Sequence, residues 1–404
     1  MRHTTAGTPI VLFTIIAALA GCNSQTVRTA SVQTTTAVLE PIPEHLLLDV
    51  GVDIFDPGID YLDEETSTST PSVRKAESVY TAYSLAQTLQ GTGSWGAVRL
   101  IPGGQSETDV TVSGTIVDSD GESLKLQITV TDISGQQWYT RTYSQTLSQY
   151  AYEPSLRQQQ EPFQQLYNDI ANDMYEHMLR LKPVQREELR VISKLRFAQR
   201  FAPQDYNDFM TIDSRGRYKL ERLPATSDPV MAWIDSIRIR DQMFVDRLQD
   251  HYAAFNRRLE EPYDQWREAS YHETKALRKL KGEATARKLG GVLSVLAGIA
   301  ILATGSSNQG ARAAGVLGIG AGAYLFKTGL DRGAEAQIHQ AALKEMADSL
   351  GAEIAPYTIV LADKTVTLSG TVEEQYAQWR VILNQIYRAE IEGLPAPTYT
   401  DEQQ

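Results

Sequence analysis

Asp109-Val-Thr-Val-Ser-Gly-Thr-Ile-Val117 and Leu124-Lys-Leu-Gln-Ile-Thr-Val-Thr131 decide the fold class of this chain. In both, apolar and polar residues alternate, the period of a strand with one buried face. Ser119-Asp120-Gly121 lies between them, a hairpin signal in which glycine supplies the positive φ of a tight turn. Asp132-Ile-Ser-Gly135 then turns the chain into a further strand, Gln137 to Tyr143. Upstream, Leu46 to Phe55 reads as a strand with a buried side, and Ala97 to Ile101 as a short one. Between these two, Val79, Ala82, Leu85, Ala86 and Leu89 fall at helical spacing, which predicts a helix over Val73–Leu89 with Ser72 as its cap. The order is β-α-β-β-β-β, and the fold class is α+β.

Residues 155–289 read as mainly helical, divided by Pro162, Pro183, Pro203, Pro224, Pro229 and Pro262. One helix is expected from Val230 to about Glu260, with Trp233, Ile234, Ile237, Phe244, Leu248, Phe255 and Leu259 as its apolar stripe, and a second from Pro262 to Leu289. Seven basic and three acidic residues lie between Arg267 and Lys288, a local charge of +4 in an acidic protein whose plain reading is a solvated helix face. Glycine-rich sequence comes next, with eleven of the 28 glycines between Gly290 and Gly333. No charge interrupts Leu289–Ala311 or Ala313–Phe326. Interior glycine costs a helix about 1 kcal/mol relative to alanine, so something must offset it. Close packing of helix backbones does so, and Gly318, Gly322, Gly329 and Gly333 have the spacing for it. The expectation is an apolar helical hairpin that enters a bilayer leaflet, packs in an oligomer or forms a plain core, with Val292, Leu293, Leu296, Ile299 and Ile301 as the membrane-contacting residues. Arg312 near the tip opposes deep insertion. An amphipathic helix over Ala334–Leu350 and a small β-β-α module complete the chain: strands Tyr357–Leu361 and Thr365–Ser369, then a helix from Val372 to about Glu390.

The amino terminus carries Arg2, a short apolar run from Ile10 to Leu19, and Leu19-Ala20-Gly21-Cys22. The run is too short to span a bilayer and fits the apolar part of a secretory signal. The tetrapeptide resembles a bacterial lipobox. That resemblance implies a signal peptide over 1–21, cleavage before Cys22, and acyl chains on its sulfur and amino group, which give stable anchoring. Asn23 in place of aspartate implies sorting to the outer membrane, on its periplasmic face. Residues 22–44 then form a lipidated flexible tether rich in Ser, Thr and Gln. The remaining divisions are an α+β periplasmic domain at 45–150, a helical region at 155–289, the glycine-rich hairpin at 290–333 and a helix plus β-β-α module at 334–395.

The segments Asp109–Thr115, Leu126–Asp132 and Gly135-Gln-Gln-Trp-Tyr139 resemble a family of periplasmic lipoprotein domains. Its members include the amino-terminal domain of TolB, the curli secretion-channel lipoprotein and the lipoprotein activators of penicillin-binding proteins. The resemblance covers about 100 residues; it implies a fold and a protein-binding module, and its motifs are uninformative about a catalytic role. The C-terminal module is faintly similar to the BON domains of periplasmic lipoproteins.

Composition excludes much else. Acidic residues outnumber basic ones, 50 to 38, for a net charge of −12, which argues against nucleic acid as a partner. A single cysteine excludes an intramolecular disulfide and a cysteine-rich metal site. Gly91-Thr-Gly-Ser-Trp-Gly96 matches a dinucleotide-binding pattern, but a helix precedes it and a strand comes after, the reverse of what a phosphate needs. Ser72–Lys75, Ser306–Asn308 and Lys327–Gly329 loosely match the three motifs of penicillin-recognising enzymes in the wrong setting. None of the six histidines has helix-borne zinc spacing, and they read as surface or satisfied side chains. Glu187-Glu188, Glu260-Glu261 and Glu373-Glu374 read as solvated helix faces.

The expected function is therefore a non-enzymatic cell-envelope lipoprotein, a scaffold or accessory factor. Its expected partners are membrane lipid and either identical subunits or an envelope protein. No cofactor other than covalent lipid on Cys22, and no small-molecule substrate, is expected. Two rival readings are a secretion or pore-forming outer-membrane lipoprotein and an activator of a peptidoglycan synthase.

Overall fold

The structure is a computed structural model that describes residues 42–62, 68–102, 107–148, 150–152, 161–225, 228–289, scattered positions of 342–349, 356–361 and 364–392. A five-stranded sheet is its centre, in the order β2-β1-β3-β4-β5. Strands β1 (Val50–Asp53), β2 (Val98–Ile101), β3 (Val110–Ser119), β4 (Ser123–Asp132) and β5 (Gln137–Thr146) keep the expected β-α-β-β-β-β order around helix α1 (Pro71–Gly91). β1 runs parallel to both β2 and β3, and β3, β4 and β5 form an antiparallel meander.

Alternation produces the buried face. Register pairs Val112 with Val130 and Ile116 with Leu126, and all four are fully buried together with Ile128 and Leu124. Val79, Ala82, Leu85 and Leu89 of α1 lie in the same core, as the spacing predicts. The cap differs from expectation. Thr70, not Ser72, is the N-cap, and its Oγ1 accepts from the Val73 amide at 3.3 Å. Pro71 then occupies the first helical position, where a missing N–H costs nothing. The first strand is also shorter than read. Glu44–Leu46 is a 3-10 turn, and pairing begins only at Val50.

Three further helices come after the sheet: α2 (Gln164–Arg180), α3 (Pro183–Phe201) and the short α4 (Pro203–Tyr206). A small hairpin interrupts the helical region, β6 (Met210–Ile212) with β7 (Tyr218–Leu220), which the reading of 155–289 as helical did not anticipate. Next comes α5 (Pro229–Leu289), one helix of 61 residues with Pro262 inside it. The expected break at Pro262 is therefore corrected. Proline removes one intrahelical bond, and tertiary contacts on both sides hold the helix through it. Upstream, Ile234, Ile237, Phe244, Leu248, Phe255 and Leu259 are buried; downstream, Tyr263, Trp266 and Tyr271 are buried.

The C-terminal module has the expected β-β-α order, with β8 (Tyr357–Leu361), β9 (Lys364–Leu368) and α6 (Val372–Glu392). Thr371 and Glu374 form a reciprocal cap at the start of α6. The module packs on the first half of α5. Phe244 stacks on Trp379 with centroids 5.0 Å apart, and the Trp379 indole donates to Asp241 at 3.2 Å.

Candidate functional site

Every residue named from the sequence for lipid attachment, membrane contact or helix packing lies outside the described residues: Cys22, Val292, Leu293, Leu296, Ile299, Ile301, Gly318, Gly322, Gly329 and Gly333. The described residues assemble two polar constellations that the sequence did not announce. One fastens α5 to the sheet domain, and the other lines a groove beside the sheet.

The fastening is ionic and largely buried. Arg267, one of the basic residues expected on a surface stretch, is instead fully buried. Its guanidinium donates to both carboxylate oxygens of Glu161, at 2.5 and 3.2 Å, and to Asp264 one turn earlier. Tyr80 of α1 donates to the same Glu161 at 2.6 Å, and the Tyr263 ring centroid lies 4.4 Å from the guanidinium. Next to it, the fully buried Glu77 accepts from Tyr263 at 2.8 Å and from Ser119 at the end of β3. Burial pushes the Glu77 carboxyl up, while Arg74, Ser119 and Tyr263 pull it back. The approach is close. Gly121 in the β3–β4 turn has φ +77, and a Cβ there would collide with the Arg267 carbonyl oxygen. Thr274 donates to the Asp120 carbonyl at 3.1 Å, so α5 also rests on the hairpin turn. The helix continues from Lys275 to Leu289, roughly 21 Å further at 1.5 Å per residue.

The groove encloses about 320 Å³ and is lined by Asp132, Gln136, Trp138, His177, Glu188, Arg217, Tyr218 and Lys219, among others. Two turns of one design build it. Asp132 Oδ1 accepts from the amides of Ser134 and Gln136 at 3.0 and 3.2 Å. Asp213 Oδ1 accepts from Arg215 and Arg217 at 2.8 and 3.0 Å. Each is an Asp-x-x-Gly turn, closed by Gly135 and Gly216 at positive φ. The turns lock together, with the Tyr218 amide donating to Ser134 O at 2.7 Å and Arg217 donating to Gln136 at 2.7 Å. The recurring Asp-x-x-Gly is the sequence signal that could have located β6 and β7.

A β-bulge sets the groove's aromatic wall. Thr131 pairs with Gln137 and Val130 with Tyr139, so Trp138 is the extra residue. Its indole donates to Asp132 Oδ2 at 2.9 Å and stacks on His177 at 4.6 Å. Burial, with Arg180 nearby, holds the His177 imidazole below its ordinary range against the opposing pull of Asp132. His177 is half-buried against the Trp138 ring. Glu188 is half-buried on the groove wall, whereas its neighbour Glu187 is exposed. Backbone and side-chain bonds from Arg217 hold the Asp213 carboxyl down to about 2.

Among the described residues no His, Cys, Asp or Glu cluster could hold a metal ion. Among them, too, no helix is long and apolar enough to cross a membrane. Gly91–Gly96 closes α1 and leads into β2, the arrangement that disfavours a phosphate site. Comparison with known proteins finds no matching family model, no similar curated protein and no similar solved structure.

Proposed function

We propose that this chain is a lipid-anchored scaffold of the bacterial cell envelope that works by docking rather than by catalysis. Cys22 carries the lipid on the periplasmic face of the outer membrane, and the residues from Leu289 onward make a second contact, with membrane lipid or with identical subunits. The observation that carries this reading is the placement of α5. Buried ion pairs and aromatic rings fasten its middle to the sheet domain, and its last turns lead directly into the charge-free, glycine-rich sequence at Gly290. A helix clamped this way is a stiff arm, suited to presenting the glycine-rich segment at a set distance from the body. The acidic net charge and the absence of a nucleotide or metal motif support a binding role.

Two measurements test it. In intact cells, an alkyne fatty acid labels the wild-type chain and fails to label Cys22→Ser. Separately, purified Cys22→Ser protein floats with phosphatidylethanolamine–phosphatidylglycerol vesicles, and adding Leu293→Glu and Leu296→Glu leaves it in the dense fraction. An unlabelled wild-type chain overturns the anchor. A Cys22→Ser chain that never floats overturns contact of this second segment with membrane lipid.

A further inference from the structure

The two edges of the central sheet are treated differently. Beyond β2, the Gln249 side chain of α5 accepts from the Leu100 amide at 2.8 Å and donates to the Leu100 carbonyl at 2.9 Å, copying a neighbouring strand. Arg99 reinforces this with a bidentate pair to Asp246 at 2.5 and 3.1 Å. That edge is closed. Beyond β5, no strand lies among the described residues. Edge strands are ordinarily blunted by charge, proline, brevity or a bulge; β5 is ten residues long with one charge and no proline, and its bulge lies only at its start, at Trp138.

The sequence of this edge strand reads nearly the same in both directions about Arg141: Gln137-Trp-Tyr-Thr-Arg-Thr-Tyr-Ser-Gln145. An interface between identical chains around a two-fold axis requires self-complementarity of this kind. We propose that β5 pairs antiparallel with β5 of a second copy, centred on Arg141, to join two sheets into one. Tyr139 then faces Tyr143 of the second copy, and Thr140 faces Thr142. Aromatic and threonine pairs directly opposite each other are favourable cross-strand partners. Pairing ends at the Trp138 bulge, so the regular core is Tyr139 to Tyr143, an ordinary strand length.

The charges fit as well. Two Arg141 side chains meet at the axis, and each already carries its neutraliser. Asp173 of α2 accepts from Arg141 and, at 2.6 Å, from the Tyr143 hydroxyl. Two arginines and two aspartates together make a cluster of zero net charge. The side chains of Thr140 and Thr142 are exposed and lie on the sheet face away from α2, so changing them leaves the core intact. This pairing does not depend on the lipid anchor or on the glycine-rich segment.

The test is the mass of the full-length Cys22→Ser chain in mild detergent, by sedimentation equilibrium up to 100 µM, with circular dichroism as a check on folding. The Cys22→Ser background is expected to be dimeric. Thr140→Lys with Thr142→Lys sets lysine against lysine and weakens the dimer at least tenfold. Thr140→Lys with Thr142→Glu sets lysine against glutamate and restores it. Gly318→Leu leaves it unchanged, which separates this contact from association through the glycine-rich segment. A monomeric background, a dimer indifferent to the paired lysines, or a loss not recovered by the lysine–glutamate pair overturns the proposal.

Discussion

At the residue scale, the side chains that matter most are polar ones taken out of water. Asp109, just before β3, has its carboxylate buried beside Asp49, accepting the Asp49 amide at 2.9 Å. Burial pushes its carboxyl up to about 6; the Asp49 amide, Arg238 and Arg190 act against that shift, and the Asp49 charge adds to it. The unfolded carboxyl titrates near 3.8, so between about 3.8 and 6 the folded chain holds its proton more tightly. Stability therefore falls as pH rises through this window, and the full penalty stands above about 6. Asp109→Asn keeps an acceptor for the Asp49 amide and removes the charge. It is expected to stabilise the chain at pH 7.5 by on the order of 1–3 kcal/mol and to have little effect at pH 4, measured by urea denaturation at the two pH values. A pH-independent difference would show that the charge is not the cause. Arg267 teaches the same lesson. Read along the sequence it belongs to a basic, solvent-facing run; only the fold brings Glu161 to it across more than one hundred positions.

At the scale of elements, alternation and helical spacing made the sheet legible. Val112, Ile116, Leu126 and Val130 were placed on one face by period alone, and the register puts them there. What escaped is where long-range packing outweighs local chemistry. Pro262 is a breaker by any local rule, yet α5 runs through it because Leu259 and Tyr263 on either side are both buried. Strands β6 and β7 escaped because three-residue strands carry too little alternation to be seen. Proline inside a helix costs about 3 kcal/mol relative to alanine, and the Arg258 carbonyl loses its partner. Pro262→Ala is therefore expected to raise the unfolding free energy by about 1–3 kcal/mol in a denaturant titration followed by tryptophan fluorescence. A destabilised variant would mean that a bend at Pro262 is needed to seat Tyr263 and Arg267 against α1.

At the scale of the molecule, α5 is the common support. α1, α3 and β2 rest on it, and so does the C-terminal module, through Phe244, Tyr357, Tyr376 and Trp379. Phe244→Ala empties that aromatic contact and is expected to cost about 3–5 kcal/mol. Limited proteolysis should then release the segment from Tyr357 onward well before the sheet domain is cut. Simultaneous digestion of both would show that they unfold as one unit. The candidate residues read from sequence and those read from structure do not overlap. Glycine spacing and the lipobox-like tetrapeptide at Leu19–Cys22 are local patterns, legible without the fold. The groove of Trp138, His177 and Arg217 exists only because two turns eighty residues apart interlock.

The seating of the C-terminal module on the first half of α5 has a topological result. Residue 290 follows the last residue of α5, and Tyr357 packs on Phe244 in the first half of the same helix, so the stretch 290–355 joins two segments that are both held to α5. A single backbone cut anywhere within that stretch would not release either piece. The nicked halves would travel together through a sizing column, and two separately expressed fragments split there should find each other and reconstitute the whole.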